Sequence, residues 1–435
     1  MSPAHPFAVL RSRPLWVGTG AILGVVAVLF SLFYVGANLN PSGSLRGLPV
    51  GLVNADRGAT ADGRQVNLGE QAVAAITAEA PGHREVSWQV LDLPEARKRL
   101  ASGRLYGALV VPDGFTASVG ALGAPSAAPD TGRPALTVLT NPSAGSMGSS
   151  MASRITQQAA HNVSVTVGSQ LAQRAQALGG QPGAAERLLW ADPVAVRVQD
   201  GHPLKSHSGM GLSAFYYALV LVVCGMLGAN VVNSQVDVAL GYAHSDVGPW
   251  RRRLPLLRSS RVQTLAVGSV LIVGLSVVTA TLALACAVGV LGMDAPHLAL
   301  LWLYSAATVA TVGLGALALL AVFGTPGMLL VTMVFIAMAV PTAGASTPVE
   351  ALPGFYRFLA GFEPLRQITG GMRAILYYDA QAGAGLARGW AMTGLGLVGA
   401  LAFGFGATRF YDRRGLHREH PPAAGETALR AVPSA

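Results

Sequence analysis

Charge is what this sequence has least of. Only 12% of its 435 residues are Asp, Glu, Lys or Arg, against about 25% in a typical globular domain. A water-soluble chain so poor in charge cannot cover its surface, and with 51% hydrophobic residues the composition points to a membrane protein. Cysteine is also scarce. Cys224 and Cys286 both sit inside apolar runs, which argues against a disulfide framework and a cysteine-rich metal site. Lysine occurs only at Lys98 and Lys205, and this arginine skew, with abundant Ala and Gly, fits a GC-rich bacterial coding bias. Catalytic signatures are missing as well. No G-x-x-x-x-G-K-[ST] occurs, so the chain is not its own P-loop ATPase by that signature, and neither H-E-x-x-H nor G-x-S-x-G is present. The reading is of a non-enzyme that binds no cofactor or metal itself. "HREH" (His417–His420) fits a solvated basic tail better than a metal site.

What the sequence does have is six apolar runs long enough to cross a bilayer, which takes about 20 residues. They are Leu15–Ala37, Leu212–Val232 (a crossing over 210–232 with its flank), Val262–Met293, Leu298–Phe323, Met328–Ala345 and Trp390–Ala407, and none carries Asp, Glu, Lys or Arg. Uncharged runs of this kind insert. Charge-free spans also argue against proton coupling inside the bilayer. The first run is too long and too aromatic for a cleaved signal peptide and reads as a retained helix. The fifth contains Pro341 and is the weakest.

The net charge of +9 would suggest a nucleic-acid partner in a soluble protein. Here the arginines flank the apolar runs: Arg11 and Arg13 before the first, Arg251–Arg253, Arg258 and Arg261 between the second and third, and Arg409, Arg413, Arg414 and Arg418 after the sixth. With six crossings all three clusters share one side, which the positive-inside rule makes cytoplasmic. No nucleic acid is expected. The layout is then a cytoplasmic 1–14, an outside domain over 38–209, a cytoplasmic loop over 233–261, an outside loop over 346–389, and a basic, partly disordered cytoplasmic tail over 408–435 in a multi-pass protein of the cell membrane.

The 38–209 segment holds 14 of the 30 basic residues and differs in pattern. "LPVGLVNAD" (Leu48–Asp56), "EVSWQVLD" (Glu85–Asp92), "LYGALVVPDGF" (Leu105–Phe115), "ALTVLTNP" (Ala135–Pro142) and "VAVRVQD" (Val194–Asp200) read as strands. Glu70–Glu79, Leu93–Gly103 and a long polar Ser143–Leu178 read as helices, the second with Pro near its start and Gly past its end. Alternating strands and helices make an α/β domain, interrupted by a loop at Gly120–Pro134.

Before the last run, "FEPLRQITGGMRAILYYD" (Phe362–Asp379) is two-faced as a helix from Pro364: Leu365, Ile368, Met372, Ile375 and Leu376 against Arg366, Gly370, Arg373 and Tyr377. The two arginines are expected to meet water, headgroups or an anionic substrate, and Gly370–Gly371 to allow a bend or close packing.

The order and spacing of "LPVGLVNADRG", "VNLGEQ" (Val66–Gln71), "EARKRLASGRLYGALVVPDGF" (Glu95–Phe115) and "EPLRQITGGMRAILYYD" resemble the ABC-2 type permease superfamily, in its YhgE/Pip-like (phage infection protein) branch. The resemblance covers nearly the whole chain. It implies one helix, a large outside domain and five further helices. It also implies export of a hydrophobic or amphipathic substrate by a homodimer in lipid, with ATP used by a separate ATP-binding subunit. Pro353–Asp379 falls where such permeases place short helices dipping into the outer leaflet, so Pro364, Arg366, Gly370, Gly371 and Arg373 are either a gate contacting substrate or an interfacial helix with snorkelling arginines. Trp250, Arg251, Arg252 and Arg253 fall where the ATPase would couple, or are a plain topological anchor; Gly248, Pro249 and Pro255 interrupt a coupling helix there. Gly396, Ala400 and Gly404, at small-x-x-x-small spacing, are either packing within the chain or a dimer seam. The alternative function is a membrane-anchored surface scaffold or receptor, such as a secretion-machinery component or phage receptor, whose outside domain binds a partner.

Overall fold

The computed structural model describes residues 13–61, 64–79, 85–122, 133–177, 183–247, 250–252, 254–345 and 347–416. Arg11, Arg253, Arg418, His417–His420 and most of the expected loop at Gly120–Pro134 lie outside them.

The chain starts with helix α1 (Arg13–Asn38) and a single turn, α2 (Pro41–Ser44). The domain expected outside the membrane, called the outer domain for that expectation, follows: β1 (Leu48–Asn54), the small hairpin β2 (Ala59–Ala61) and β3 (Arg64–Val66), α3 (Leu68–Glu79), β4 (Val86–Leu91), α4 (Leu93–Leu100), β5 (Gly107–Val111), α5 (Phe115–Leu122), β6 (Ala135–Thr140), α6 (Ser146–Ala177), α7 (Ala184–Ala191) and β7 (Ala195–Asp200). Five strands form one sheet in the order β4-β1-β5-β6-β7, with only the β5–β6 pair antiparallel. Alternation decides the layers. On one face Leu52, Leu109, Leu136 and Val138 meet Ile76 of α3 and Val163 and Val167 of α6. On the other, Val53, Ala108, Val110 and Leu139 meet Ala96 and Leu100 of α4. The five expected strands and three helices are all present. The hairpin, α5 and α7 are additional, because each is too short for a periodic pattern to emerge.

Local chemistry sets the helix ends. Asp92 Oδ1 accepts the Glu95 N–H at 2.8 Å, and Pro94 fills the first turn of α4. Asp56, buried after β1, accepts the Thr116 N–H at 3.2 Å, the Gly69 N–H at 3.4 Å and the Thr116 hydroxyl. One carboxylate thereby ties the first turns of α3 and α5 to the end of β1.

The rest of the chain is a helical bundle: α8 (Ser213–Ala239), a hairpin of β8 (Ser245–Val247) and β9 (Trp250–Arg252), α9 (Arg261–Leu284), α10 (Leu298–Phe323), α11 (Gly327–Thr332), α12 (Ala339–Thr342), α13 (Gly354–Leu359), α14 (Pro364–Tyr377) and α15 (Leu386–Arg413). Among the described residues, five helical stretches are long and apolar enough to cross a membrane: Gly20–Asn38, Ser213–Ala239, Arg261–Val290, Leu298–Phe323 and Leu386–Arg413. This is a membrane protein with an α/β domain. Helix α10 is the axis of the bundle, with Leu301, Tyr304 and Ala316 fully buried. Apolar side chains such as Val25, Val270, Leu282 and Val398 face outward uncovered, as lipid-facing residues do.

The fifth expected crossing is not one helix. Gly327–Thr342 is shorter and consists of α11, a π turn over Met333–Ala337 and α12. The Met338 N–H reaches back to Met333 at 3.0 Å, the wide π geometry absorbs an extra residue, and Pro341 withholds an N–H. The third crossing also ends in a π turn, Ala285–Val290. At the opposite end of the bundle from the outer domain, Asp412 of α15 caps α9, accepting the N–H groups of Arg261 and Val262 at 3.0 and 3.1 Å.

Replacing Asp56 by Ala strips two helix starts of their common acceptor and is expected to lower outer-domain stability by about 2–3 kcal/mol. Asp113, in an exposed ion pair with Arg57, is the control, with Asp113→Ala expected within about 0.5 kcal/mol of wild type. Thermal unfolding of the two purified variants checks the contrast; equal losses would refute it.

Candidate functional site: the junction of outer domain and bundle

Helix α14 starts where the sequence places it. Glu363 accepts the Leu365 N–H at 2.9 Å and the Arg366 N–H at 2.8 Å, and Pro364 occupies the first turn. Its apolar face is fully used. Leu365, Ile368, Met372, Ile375 and Leu376 join one core with Leu301 and Tyr304 of α10, Phe335 of the interrupted helix and Ala218 of α8. The helix is therefore wedged among the bundle helices instead of lying on a lipid surface. The Gly-Gly pair separates into two roles. A Cβ at Gly371 would overlap the Tyr304 hydroxyl, whereas one at Gly370 would meet nothing within 4 Å. The helix runs through both glycines without ending, so the pair serves close approach at Gly371 and no bend.

The two arginines differ from the expectation that they face water, headgroups or substrate. Both are half-buried and hold backbone carbonyls. Arg366 Nη1 donates to the Ala360 carbonyl at 2.9 Å. Arg373 donates from Nη1 to Ala144 at 3.2 Å and from Nη2 to Gly344 at 3.1 Å. Arg373 thus joins three segments: α14, the turn between β6 and α6 of the outer domain, and the chain leaving α12. The reason is that chain ends at helix termini leave carbonyls without partners, and a guanidinium has five N–H groups and no acceptor.

A ring of further contacts ties the same segment to its surroundings, through Tyr377 of the polar face and through residues that the sequence does not single out. Tyr106 of the outer domain donates to Glu350 at 3.1 Å. Tyr377 Oη donates to the Ser208 carbonyl at 3.2 Å and accepts the Ala214 N–H at 3.1 Å, at the entry to α8. His202 Nε2 lies 2.9 Å from the Tyr377 carbonyl. Arg388 of α15 donates to Gln367 at 2.8 Å. Thr347 donates to Asn38 at 2.6 Å and Tyr356 to the Leu32 carbonyl at 2.6 Å, which secures α1. Only Glu363, as the residue before a helix-starting proline, had a local sequence signal. The others depend on pairings across more than 20 residues.

Electrostatics follow burial. The Tyr106 phenol is pushed up by burial and then by the neighbouring Glu350 carboxylate. Burial lowers the Arg366 guanidinium. Burial also pushes the Glu363 carboxyl up to about 7, against the two N–H bonds and the Arg366 charge that favour its ionised form. Beside this network, a crevice of about 470 Å³ opens between the first turns of α6 and of α8, with Ser146, Ser150, Arg154, Phe215, Tyr216 and Ala345 on its walls. The arrangement offers a polar and apolar opening at the level where the domain meets the bundle, with a helix behind it that contacts both.

The other sequence candidates lie elsewhere. Trp250, Arg251 and Arg252 form β9, paired with β8, so this part of the loop is a hairpin. The small-residue stripe of α15 meets the same chain in part: Gly404 is buried, Ala400 half-buried and Gly396 exposed. A Cβ at Gly404 would lie 2.9 Å from Ala318 and 3.2 Å from Leu265, one at Gly396 would lie 3.3 Å from Thr311, and Ala400 lies against Gly315. This is packing against α9 and α10, so the dimer-seam alternative loses its surface at Gly404.

Two outcomes follow from this geometry. Gly371→Ala is expected to destabilise the bundle by about 1–3 kcal/mol through overpacking, while Gly370→Ala is neutral or stabilising by about 0.5–1 kcal/mol; thermal unfolding of both variants in one lipid or detergent reads the difference. For Glu363, the folded state holds its proton more tightly than the unfolded state. Its contribution to stability is therefore full below pH 4.5 and lost as pH rises toward about 7. Stability of wild type relative to Glu363→Gln should fall across that window, and a flat difference would contradict the burial of this carboxyl.

A family model described as "Protein of unknown function (DUF3533)" matches residues 19–394. The match takes in most of the chain, and the chain belongs to that family. No curated protein and no solved structure matches it.

Proposed function

We propose that this member of the DUF3533 family is the permease subunit of an ABC-2 type exporter, moving a hydrophobic or amphipathic molecule outward with a separate ATPase. The observation that carries the reading is α14: an amphipathic helix on the outer side, wedged among α8, α10 and α15, and clasped to the outer domain through Arg373. A helix so placed transmits a shift of the outer domain to the bundle and the reverse. An anchor for a surface domain needs a single crossing and no such wedge.

Six crossings fit the same reading. The interrupted stretch Gly327–Thr342 starts against Leu319 and Leu320 near the end of α10 and leads to Gly344, which is held by Arg373 at the outer domain. The arginine clusters at Arg13, Arg251–Arg252, Arg258, Arg261, Arg409, Arg413 and Arg414 then share the cytoplasmic side with both termini, under the positive-inside rule. The permease reading includes a homodimer, and the pathway would run beside the interrupted helix, whose π turn and Pro341 make it the least regular part of the bundle.

The second reading, a surface scaffold or receptor, is favoured by one feature. The loop where an ATPase would couple contains the β8–β9 hairpin in place of a helix. Purification of the tagged protein in mild detergent, with mass spectrometry and an ATPase assay of the co-purifying material, separates the two. The permease reading expects a stoichiometric P-loop protein that is lost when Trp250–Arg252 are altered. Recovery with envelope proteins through residues 38–209, and no ATPase, would replace it with the scaffold.

A further inference from the structure

The outer domain contains a second cavity, which shares no lining residue with the junction crevice. Helices α3 and α6 cover the same face of the sheet but leave a gap above its edge strand, β4. The gap is an open groove of about 390 Å³, within the size range of small-molecule sites. Its floor is apolar, with Ala72, Ile76, Trp88, Ile155, Ala159 and Val163. Domain interiors are ordinarily close-packed. Here alanine stands at Ala72 and Ala75 on one wall and at Ala159 on the other, and larger side chains at those positions would close the gap.

The rim has a different chemistry. Gln71, Gln158, Asn162, Thr166 and Gln170 line it. Gln158 donates to Asn162 at 3.1 Å, which leaves one Asn162 N–H₂ available, and the side-chain amides of Gln71 and Gln170 have no partner among the described residues. The only ionisable side chain among the described lining residues is Glu85, which is exposed. No cation is among the described lining residues, so that lining offers nothing to neutralise a phosphate, sulfate or carboxylate, whose burial without a partner is costly.

Shape narrows the class. The lining follows α6 from Ile155 to Gln170, about 22 Å at 1.5 Å per residue. A volume of 390 Å³ spread over that length averages about 18 Å² in cross-section, room for one extended chain and not for two side by side. We infer that this groove is a binding site for an uncharged single-chain amphiphile, its tail along the alanine-lined floor and its hydroxyl or amide head at the glutamine and asparagine rim. The site belongs to the outer domain and holds whether or not the chain is a permease, because binding is measured without transport.

The test uses the full-length protein in phosphatidylcholine nanodiscs, with diazirine-bearing hexadecanol and hexadecanoate at pH 8 as photoprobes. Labelled peptides are mapped by mass spectrometry, and labelling of Leu298–Phe323 in the bundle serves as internal reference. The alcohol is expected to label Leu68–Glu79 and Ile155–Gln170, in competition with unlabelled hexadecanol. The carboxylate is expected to label them at least tenfold less relative to the reference. Ala159→Trp fills the floor and is expected to reduce alcohol labelling at least tenfold. Ala75→Trp does the same from an exposed helix position that tolerates a large residue, which covers the case in which the first variant does not fold. Alcohol labelling confined to the bundle, equal labelling by the two probes, or wild-type labelling in the folded tryptophan variants would overturn the site.

Discussion

The guanidinium of Arg373 sits where three parts of the chain run out of regular structure. The turn ending at Ala144, the exit from the interrupted helix at Gly344 and the wedge helix α14 all meet there. Both flanking glycines have positive φ, 132° at Gly145 and 70° at Gly344, so the backbone turns sharply and its carbonyls are left without helical or sheet partners. Near a membrane boundary such carbonyls find little water. Arginine answers this with a rigid fork of donors. The domain above and the bundle below are held in one relation by this side chain and by the contacts around it from Tyr106 and Tyr377.

The bundle makes the complementary arrangement possible. A wedge helix can enter among crossing helices only where its surface is thin enough, and at Gly371 the Tyr304 side chain lies against bare backbone. The polar groups inside are few and short. Tyr217 and Ser305 lie 3.0 Å apart, and Ser305 also donates to the Leu301 carbonyl of its own helix at 2.6 Å. Irregularity is concentrated in the stretches with π turns, Ala285–Val290 and Met333–Ala337. The first leads to His297, which contacts Asp379, and the second through α12 to Gly344, which Arg373 holds, so the least regular parts of the bundle end close to the junction.

The outer domain, by contrast, has a core of its own on each side of its sheet. It needs the bundle for position and not for cohesion. One face of that sheet is filled where Ile76 of α3 and Val163 and Val167 of α6 cover β1, β5 and β6, and left open above β4, where Ala72, Ala75 and Ala159 stand. The domain thereby carries two different surfaces: a polar one that docks on the bundle and an apolar recess between α3 and α6.

Much was legible in the sequence because it depends on local repetition. Charge-free apolar runs of bilayer length, period-2 strands such as Val86, Trp88 and Val90, and Pro94 and Gly103 bracketing α4 are patterns that neighbours along the chain impose. Pro364 after Glu363 placed the start of α14, and Leu298–Phe323 was recovered to the residue. The interruption of the fifth crossing was visible only as Pro341, since a π turn has no composition of its own. What only the tertiary structure decided was what the exposed-looking polar residues touch. Arg373 reads as a snorkelling arginine until Ala144, 229 positions away, is brought beside it. Gly404 of the α15 stripe reads equally as seam or packing until Ala318 of α10 lies against it. Periodicity determines which residues share a face, because that is a property of one helix. Which neighbour that face meets depends on how distant helices cross, and no local pattern carries that information.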